Sequence, residues 1–322
     1  MEVKSLVSGR TTVENNVLIA PMAGYTDFAF RSLEISLGAG LTFTELVSAK
    51  GLFYGAKGTR ELLYTGEDSP DETVYAENRN KTAAQIFGAD AYYMRAACES
   101  EYLKNFEIVD INMGCPVPKV FKNGEGSALL ADINRAERIV SECVKSGKTI
   151  TVKIRTGLIR GDDVAADFAK MAENAGAAMV TVHGRVREAY YSGEPDFAAI
   201  EKAKRAVKIP VVANGGIFTV KDADDMISKT GADGVMLARG AVANPFLVAE
   251  LTGKTTDMTL LRFVLSQLSV MTERYGEKRA VAEFRKFVPY YVKGEEGSKT
   301  CRVKLMKCES VSEIVDILKE IL

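Results

Sequence analysis

Eight short apolar runs lie between residues 16 and 241, each followed by a longer and more polar stretch. The runs are NVLIAPMAG (16–24), LTFTELV (41–47), KTAAQIFG (81–88), FEIVDINMG (106–114), KTITVKIRTG (148–157), AAMVTVHGR (177–185), IPVVANGGI (209–217) and GADGVMLARGA (231–241). Most of them are almost continuously apolar rather than alternating, which is typical of parallel strands that are covered on both faces. Few folds accommodate eight such strands, so their number constrains the architecture more than any other feature.

The stretches between the runs have helical patterns. They cover 89–104, 132–146, 163–175, 196–207, 219–230 and 241–251. Near their starts we expect capping by Asp132 and by Asp162 or Asp163, and after their ends stand Gly147, Gly176 and Gly231. Eight βα units predict an α/β fold, a (β/α)8 TIM barrel. A doubly wound open sheet is the alternative, but no run is followed by the G-x-G-x-x-G pattern of that fold.

Beyond residue 253 the pattern changes to helices alone. We therefore predict a TIM-barrel catalytic domain at 1–253 and a small C-terminal all-α domain at 254–322, with Thr256 and Ser310 as helix N-caps. The whole chain has a net charge of −1, whereas residues 274–307, called here the basic stretch, contain ten Lys and Arg against four Glu. The basic stretch is either a solvated helical face with a packed aromatic stripe or a surface for a polyanion.

The count of metal-binding and redox residues excludes several classes of enzyme. His183 is the one histidine, so metal sites that need two histidines are excluded, and no G-x-S-x-G elbow accompanies it. The five cysteines are odd in number and form no CxxC pair, which argues against disulfides and zinc and for the cytoplasm. No stretch approaches the roughly 18 apolar residues of a membrane span.

Polar residues cluster where the predicted strands end, which is where TIM barrels place their active groups. The residues at these ends are Pro21, Met22 and Ala23; Gln85; Asn112 and Cys115; Lys153 and Arg155; His183 and Arg185; Asn214, Gly215 and Gly216; and Arg239 with Gly240. Glycines after the last two strands suit a phosphate, because backbone N–H groups can approach it closely. With Lys153, His183 and Gln85 across the barrel, this arrangement resembles the cradle of flavin mononucleotide (FMN), whose reduced ring is anionic.

Six motifs together resemble the tRNA-dihydrouridine synthase family. They are APMAGYTD (20–27), DINMGCPVPKV (110–120), VKIRTG (152–157), VHGR (182–185), ANGGI (213–217) and ARGA (238–241). The resemblance extends from about residue 14 to about residue 300. It implies an FMN enzyme that uses NADPH to reduce the C5–C6 bond of particular uridines in tRNA, with no membrane or metal partner.

The resemblance also implies roles for individual residues. Those expected to contact FMN are Pro21, Met22, Ala23, Gln85, Lys153, His183, Asn214, Gly215, Gly216, Ala238 and Arg239. Those expected to bind the tRNA substrate are Asn112, Lys119, Arg155, Arg185, Arg285 and Lys286. FRKFVPYYVKG (284–294) resembles the family's helical tRNA-binding element, but it has Phe287 and Tyr290 where the family commonly has His and Trp.

Cys115 is the implied proton donor. Reduction of uracil needs a hydride at C6 and a proton at C5 from the opposite face, and a thiol with a pKa of about 8.5 can supply that proton. The nearby Lys119 and Lys122 favour the thiolate, and our hypothesis is that they contact RNA phosphates instead. The Gly- and Pro-rich loop predicts that Cys115 is accessible, whereas Cys98 and Cys143 are expected to be buried apolar residues of helices.

Two other functions fit part of the pattern. An FMN barrel that acts on a free pyrimidine or enone would need no residues after 255. A catalytically silent RNA-binding barrel would be colourless when purified.

Overall fold

The computed structural model describes residues 1–68 and 72–322, and the side chains of residues 72–75 lie outside the description. Its centre is a barrel of parallel strands. The described residues contain the strands β1 (Leu6–Ser8), β2 (Thr11–Val13), β3 (Val17–Ile19), β4 (Thr42–Phe43), β5 (Val47–Ser48), β6 (Thr82–Phe87), β7 (Ile108–Met113), β8 (Thr149–Arg155), β9 (Met179–His183), β10 (Val211–Asn214) and β11 (Gly234–Leu237). Of these, β1 and β2 form a separate antiparallel hairpin outside the barrel. Around the barrel the order is β3, β11, β10, β9, β8, β7, β6 and β4. The barrel closes where Ile19 N–H donates to the carbonyl of Leu41 at 2.9 Å.

Helices surround this barrel and then continue alone to the end of the chain. They are α1 (Phe28–Ser36), α2 (Ala49–Phe53), α3 (Lys57–Glu61), α4 (Glu72–Asn80), α5 (Ala91–Cys98), α6 (Pro118–Lys122), α7 (Ile133–Val144), α8 (Ala165–Asn174), α9 (Phe197–Ala206), α10 (Val220–Thr230), α11 (Arg239–Ala243), α12 (Leu247–Thr252), α13 (Leu260–Tyr275), α14 (Glu277–Phe284), α15 (Val288–Tyr291), α16 (Ser298–Leu305) and α17 (Val311–Ile321). The predicted fold class is confirmed, and each of the eight predicted runs contains a barrel strand. The helix predicted at 241–251 is two helices, α11 and α12.

Two of the predicted helix caps are wrong. Asp162 does not cap α8; its carboxylate accepts the N–H groups of Leu158 and Ile159 at 2.8 and 3.0 Å in the preceding loop. Thr259, not Thr256, caps α13, since its hydroxyl accepts the N–H of Arg262 at 3.2 Å. These misses are one turn or less from the true start, because several polar residues compete for each N-terminus.

The barrel interior is filled and its amino end is closed. Leu18, Phe43 and Met236 belong to the interior cluster, together with Leu6 and Val13 from the β1–β2 hairpin. Thr11 of the same hairpin bonds to Thr149 at the start of β8, with 3.0 Å between their hydroxyl oxygens. The polar strand residues therefore gather at the carboxyl end, which is called the barrel mouth below.

The C-terminal helices pack against the barrel through aromatic residues. Phe287 is fully buried and stacks on Phe30 of α1, with 6.0 Å between ring centroids, and on Tyr291 at 5.8 Å. Tyr275 donates to the carboxylate of Asp27 at 3.3 Å. The aromatic side chains of the basic stretch are thus largely interior, as in the packed-stripe interpretation. The division into domains at residue 253 stays a prediction.

Within the described residues, no helix combines the length and the apolar character needed to cross a membrane.

Candidate active site

The side chains at the barrel mouth are brought together by the register of neighbouring strands. Gln85 lies beside Asp110 in the pair β6–β7, and Asn112 lies beside Lys153 in the pair β7–β8. His183 lies beside Asn214 in the pair β9–β10. The predicted site residues of five separate runs therefore form one cluster, although they span some 130 positions of sequence.

One part of this cluster surrounds the buried carboxylate of Asp110. Its two carboxylate oxygens accept hydrogen bonds from Gln85 Nε2 and Thr151 Oγ1, both at 2.6 Å. Burial raises the pKa of Asp110 to about 6, although these two bonds oppose the rise. Gln85 then accepts a bond from Asn112 Nδ2 at 2.7 Å. Because an ionised carboxylate only accepts, it fixes which way both amide groups point.

Asn112 connects this hydrogen-bond network to the loop that contains Cys115. Its Oδ1 accepts the N–H groups of Gly114 and Cys115 at 3.2 and 2.9 Å. The carbonyl of Cys115 accepts the N–H and the hydroxyl of Ser127 at 3.1 and 2.7 Å. Both sides of Cys115 are thus held by buried polar groups.

The prediction that Cys115 is accessible is wrong, since the residue is only 9% exposed. The loop turns back on itself at Gly126, which has a φ of +60° and approaches so closely that a Cβ there would lie 3.0 Å from Cys115 Cβ. Burial raises the pKa of the Cys115 thiol, and Arg155 and Lys153 oppose this rise. The thiol is therefore protonated at neutral pH. Lys119 and Lys122 lie on α6 with exposed side chains.

Lys153 reaches across the mouth towards β10. Its ammonium donates to Asn214 Oδ1 at 3.0 Å, and Asn214 Nδ2 donates to the carbonyl of Met236 at 2.7 Å. Burial, and then the charge of Arg155, lower the pKa of Lys153 to about 8. This cation has a neutral amide partner, so it can still compensate an anion.

His183 is surrounded by cations. It is 7% exposed, and burial followed by the charges of Arg155, Lys153, Arg185 and Arg239 lowers its pKa well below the usual value. Its Nε2 lies 3.3 Å from Nη1 of Arg185. An arginine only donates, so this nitrogen accepts and Nδ1 carries the proton of a neutral imidazole.

Arg155 and Arg185, predicted to bind substrate, are buried and hold the loop at 186–193. Arg155 donates to the carbonyls of Gly114 at 2.8 Å and Tyr190 at 2.8 Å. Arg185 donates to the carbonyl of Gly193 at 2.6 Å. Tyr190 has a φ of +49°, a strained value for a residue with a side chain. The two guanidinium groups stabilise that loop, and their contact with substrate stays a prediction.

Tyr191 is a site residue that the motifs did not reveal. Its ring lies 4.8 Å from the guanidinium carbon of Arg239 and stacks on His183 with 6.4 Å between ring centroids. The available signal was the Tyr-Tyr pair in a loop directly after the VHGR motif. The flat side chain of Tyr191 therefore lies against two predicted cofactor residues, His183 and Arg239.

The remaining predicted cofactor residues lie at the ends of β3, β10 and β11. Pro21 and Met22 are half-buried, Ala23 is exposed and Ala238 is half-buried. Gly215 and Gly216 have φ values of +111° and +72°, and a Cβ on Gly215 would lie 2.7 Å from His183 Cδ2. Both positions favour glycine, because a side chain at 215 would collide with the imidazole and one at 216 would collide with Pro195, 2.8 Å from its Cβ.

The two predicted tRNA-binding residues of the helical region differ in their surroundings. Lys286 lies near the barrel mouth, 5.9 Å from the Tyr25 ring centroid, and a Cβ on Gly24 would be 3.3 Å from its Nζ. It also pairs with Glu283 of α14. Arg285 instead points into the helical region and donates to the carbonyl of Cys308 at 2.8 Å.

The mouth is suited to an anionic ligand. Among the described residues, Lys153, Arg155, Arg185 and Arg239 form no ion pair, although all four raise the positive potential at His183. Buried charges without partners are unfavourable, so a bound anion would stabilise this arrangement. The side chains therefore fit FMN, which has a phosphate and an anionic reduced ring. Within residues 1–68 and 72–322, no three His, Cys, Asp or Glu side chains are grouped to hold a metal ion.

Comparison with known proteins gives the family. A family model described as dihydrouridine synthase (Dus) matches residues 18–322. The chain belongs to the dihydrouridine synthase family. Membership confirms the resemblance inferred from the six motifs, and it makes the protein an oxidoreductase.

Two relatives of the dihydrouridine synthase family are similar over most of their length. "tRNA-dihydrouridine synthase B" of Pseudomonas putida is 35% identical over 312 residues, covering 94% of this chain and 89% of the relative. "Probable tRNA-dihydrouridine synthase 1" of Synechocystis sp. is 35% identical over 327 residues, covering 98% and 89%. A solved structure of a morphinone reductase mutant has a TM-score of 0.55 at 14% identity, covering 78% of this chain and 90% of that one, and so shares the fold.

Proposed function

We propose that this protein is an FMN-dependent tRNA-dihydrouridine synthase that uses NADPH to reduce the C5–C6 bond of particular uridines in tRNA. One observation carries the proposal beyond family membership. A protonated, fixed thiol at Cys115 lies at the same barrel mouth as a group of cations that lack anionic partners. The first supplies a proton and the second holds an anion, which are the two requirements of this reaction.

The residues expected to contact FMN can be grouped by the part of the cofactor that each would contact. Lys153 and Asn214 would meet the anionic edge of the flavin ring. Gln85 would meet the edge of the ring that both donates and accepts hydrogen bonds. Gly215, Gly216 and Arg239 would hold the phosphate, with His183 as a neutral neighbour. Pro21, Met22, Ala23 and Ala238 would line the site at the adjoining strand ends.

Bound FMN, after reduction by NADPH, would supply the hydride from N5 to C6 of the uracil. Cys115 would give its proton to C5 from the opposite face. Burial keeps the Cys115 thiol protonated until that step. Once the proton has left, Arg155 and Lys153 would stabilise the thiolate, because their charges favour its ionised form.

Binding of tRNA would involve cations outside the cofactor site. Lys119 and Lys122 are exposed on α6, directly after the Cys115 loop, and Lys286 lies beside Tyr25, which follows β3. Asn112, Arg155, Arg185 and Arg285 would act mainly by holding loops in place, since their polar groups are bonded within the protein. With tRNA as its substrate, the enzyme would work in the cytoplasm.

The decisive experiment compares tRNA from a strain lacking this gene with tRNA from the parent strain. We expect dihydrouridine to be lost at defined positions and restored by the gene. Purified protein should be yellow and should release FMN. A colourless protein would support the silent RNA-binding alternative, and turnover of free uridine or of an enone without tRNA would support the small-substrate alternative.

A further inference from the structure

Four aromatic side chains, three of them exposed, form a contiguous group at the edge of the barrel mouth. This aromatic patch consists of Phe53 and Tyr54 at the end of α2 and Tyr92 and Tyr93 at the start of α5. The Phe53 ring centroid lies 5.2, 5.7 and 5.0 Å from those of Tyr54, Tyr92 and Tyr93. Phe53, Tyr54 and Tyr92 are 45%, 66% and 64% exposed. Contiguous rings with this much exposure indicate a surface for a partner.

The aromatic patch belongs to the same end of the barrel as Cys115. Helix α2 follows β5 and α5 follows β6, so both start from carboxyl ends of strands. A cavity of about 440 Å³ separates the patch from the Cys115 loop. Lys50 and Tyr93 line one side of it, and Asn123 and Glu125 of the loop line the other. A ligand that reaches Cys115 from this direction passes over the patch.

The charges beside the aromatic patch favour a polyanionic partner. Lys50, Lys57 and Arg60 are exposed, and none of them forms an ion pair with another described residue. Lys50 Nζ lies 5.7 Å from the Tyr93 ring centroid. Of the neighbouring carboxylates, Glu61 pairs with Arg279 and Glu99 pairs with Arg95, whereas Asp90 and Glu125 line the cavity without an ion pair among the described residues. Three unpaired cations therefore outnumber two unpaired carboxylates, and the net charge beside the patch is positive.

The patch is also continuous with the basic stretch. Arg279 of α14 pairs with Glu61 of α3 at 3.3 Å, and Arg274 lies 3.7 Å from the Tyr64 ring centroid. Lys57 and Arg60 are on the same short helix α3, which follows the patch residue Tyr54 by three positions. One band of cations thus extends from the helical region to the patch.

We propose that the aromatic patch is a second RNA-binding surface, which stacks unpaired bases of the substrate RNA outside the site at Cys115. Single-stranded nucleotides combine flat apolar bases with phosphates, so they match exposed rings flanked by cations. A protein partner would leave the cations without phosphates, and a second copy of this chain would bring the same positive charges together. The proposal rests on the proposed function, because an enzyme for free pyrimidines would not use this surface.

The test is a binding titration with the full-length, flavin-loaded protein and tRNA isolated from a strain without dihydrouridine. Tyr54→Ala with Tyr92→Ala should weaken binding about tenfold or more, as expected when base stacking is removed. Tyr54→Phe with Tyr92→Phe keeps the rings and should bind within about twofold of the parent. Val7→Ala, an exposed apolar residue on the hairpin at the closed end, is the matched control and should change nothing.

A second pair of substitutions leaves the rings intact. Lys50→Gln with Lys57→Gln should reduce the salt dependence of binding by about 1.4 units of slope, since each phosphate that a lysine no longer neutralises lowers the slope by roughly 0.7. The alanine pair should leave that slope unchanged. The two variants therefore separate stacking from phosphate binding, and either one can be read if the other folds poorly.

Three results would overturn the proposal. If the alanine pair binds tRNA with the affinity of the parent protein, the patch does not stack bases. If the phenylalanine pair weakens tRNA binding as much as the alanine pair does, the effect belongs to the hydroxyl groups and not to the rings. A smaller sedimenting species in the alanine pair, with unchanged tRNA affinity, would make the patch a self-association surface. By contrast, a parent protein that neither binds nor modifies tRNA would refute the proposed function itself.

Discussion

The two halves of the barrel mouth are built in opposite ways. On the side of β6 and β7, Asp110, Gln85 and Asn112 form a chain of hydrogen bonds of 2.6–2.9 Å that ends at the N–H of Cys115. On the side of β8 to β11, the hydrogen bond of Lys153 goes to a neutral amide, and Arg239 lies against aromatic rings. One half is complete before any ligand binds, whereas the other lacks its negative charge.

This difference assigns separate tasks to the two halves. A complete hydrogen-bond chain in a low-dielectric interior is rigid, and rigidity is what a proton donor needs in order to meet one atom of a substrate. Unpaired cations lower the stability of the free protein, and that unfavourable term is removed when an anion binds. We therefore expect the β6–β7 half to position the Cys115 loop, with Gln85 also meeting the flavin ring, and the β8–β11 half to hold the anionic cofactor.

Substitution of Cys115 is the test with the largest expected effect. Cys115→Ala should lower the rate of dihydrouridine formation by about 10²-fold or more, the range for loss of a general acid. Flavin content, reduction by NADPH and tRNA affinity should stay at parent levels, because the side chain acts only at the proton transfer. Cys143→Ala, another buried thiol, is the control. Parent-rate turnover in Cys115→Ala would make this cysteine structural.

Lys153→Ala tests the binding half, with a smaller expected effect. Loss of a charged partner should weaken FMN affinity about tenfold to a hundredfold and slow reduction by NADPH. Equilibrium titration of the flavin-free protein and stopped-flow reduction measure the two effects. Normal flavin affinity and reduction kinetics in this variant would place Lys153 outside the cofactor site.

The pKa of Lys153 predicts that FMN affinity in the β8–β11 half depends on pH. Its pKa is lowered to about 8 in the free protein, and a bound anion would raise it, so the protonated form is the one that binds. FMN affinity should therefore be constant between pH 7 and 8 and fall by up to about tenfold per unit above pH 8. Lys153→Ala should lose this decrease. A decrease that persists in the variant would have to come from another group.

Asp110→Asn tests the positioning half. An asparagine can donate as well as accept, so the amides of Gln85 and Asn112 lose their fixed direction. We expect kcat for dihydrouridine formation to fall about fivefold to tenfold, which corresponds to the net free energy of about one ordinary hydrogen bond, while the KM for tRNA stays constant. A changed tRNA KM with constant kcat would contradict a role in positioning.

The smallest effect is expected at Lys286, outside both halves. Lys286→Gln should weaken tRNA binding about twofold to fivefold and reduce its salt slope by one unit or less. Lys319→Gln on α17, an exposed lysine beyond the basic stretch, should leave both unchanged. Equal behaviour of the two variants would indicate that Lys286 is only a solvated charge paired with Glu283.

The sequence predicted the parts of this molecule that depend on local pattern. The eight strands follow from continuous apolar runs, and their polar ends predict which side chains meet at the mouth. The burial of Cys115 did not follow, because it depends on a return of the chain at Gly126, eleven residues later. Composition describes a loop as polar but does not say what the loop folds over.

The direction of side chains is the second feature that the sequence did not predict. Arg155 and Arg185 were expected to face a substrate, but their guanidinium groups bind backbone carbonyls of a strained loop. Asp110 reads in the sequence as part of a strand, and its role depends on Gln85, which comes from a different βα unit. Such contacts are set by tertiary structure, so neither spacing nor residue type reveals them.

All five cysteines are buried, and this has a practical consequence for labelling. A cysteine introduced at an exposed position, such as Arg10→Cys on the hairpin turn, should react with maleimides far faster than any native thiol, since reactivity follows exposure and thiolate content. Fluorophores for distance measurements can then be attached without first removing the native cysteines. Slow alkylation of Cys115 itself would report occupancy, because a ligand over the barrel mouth should protect it.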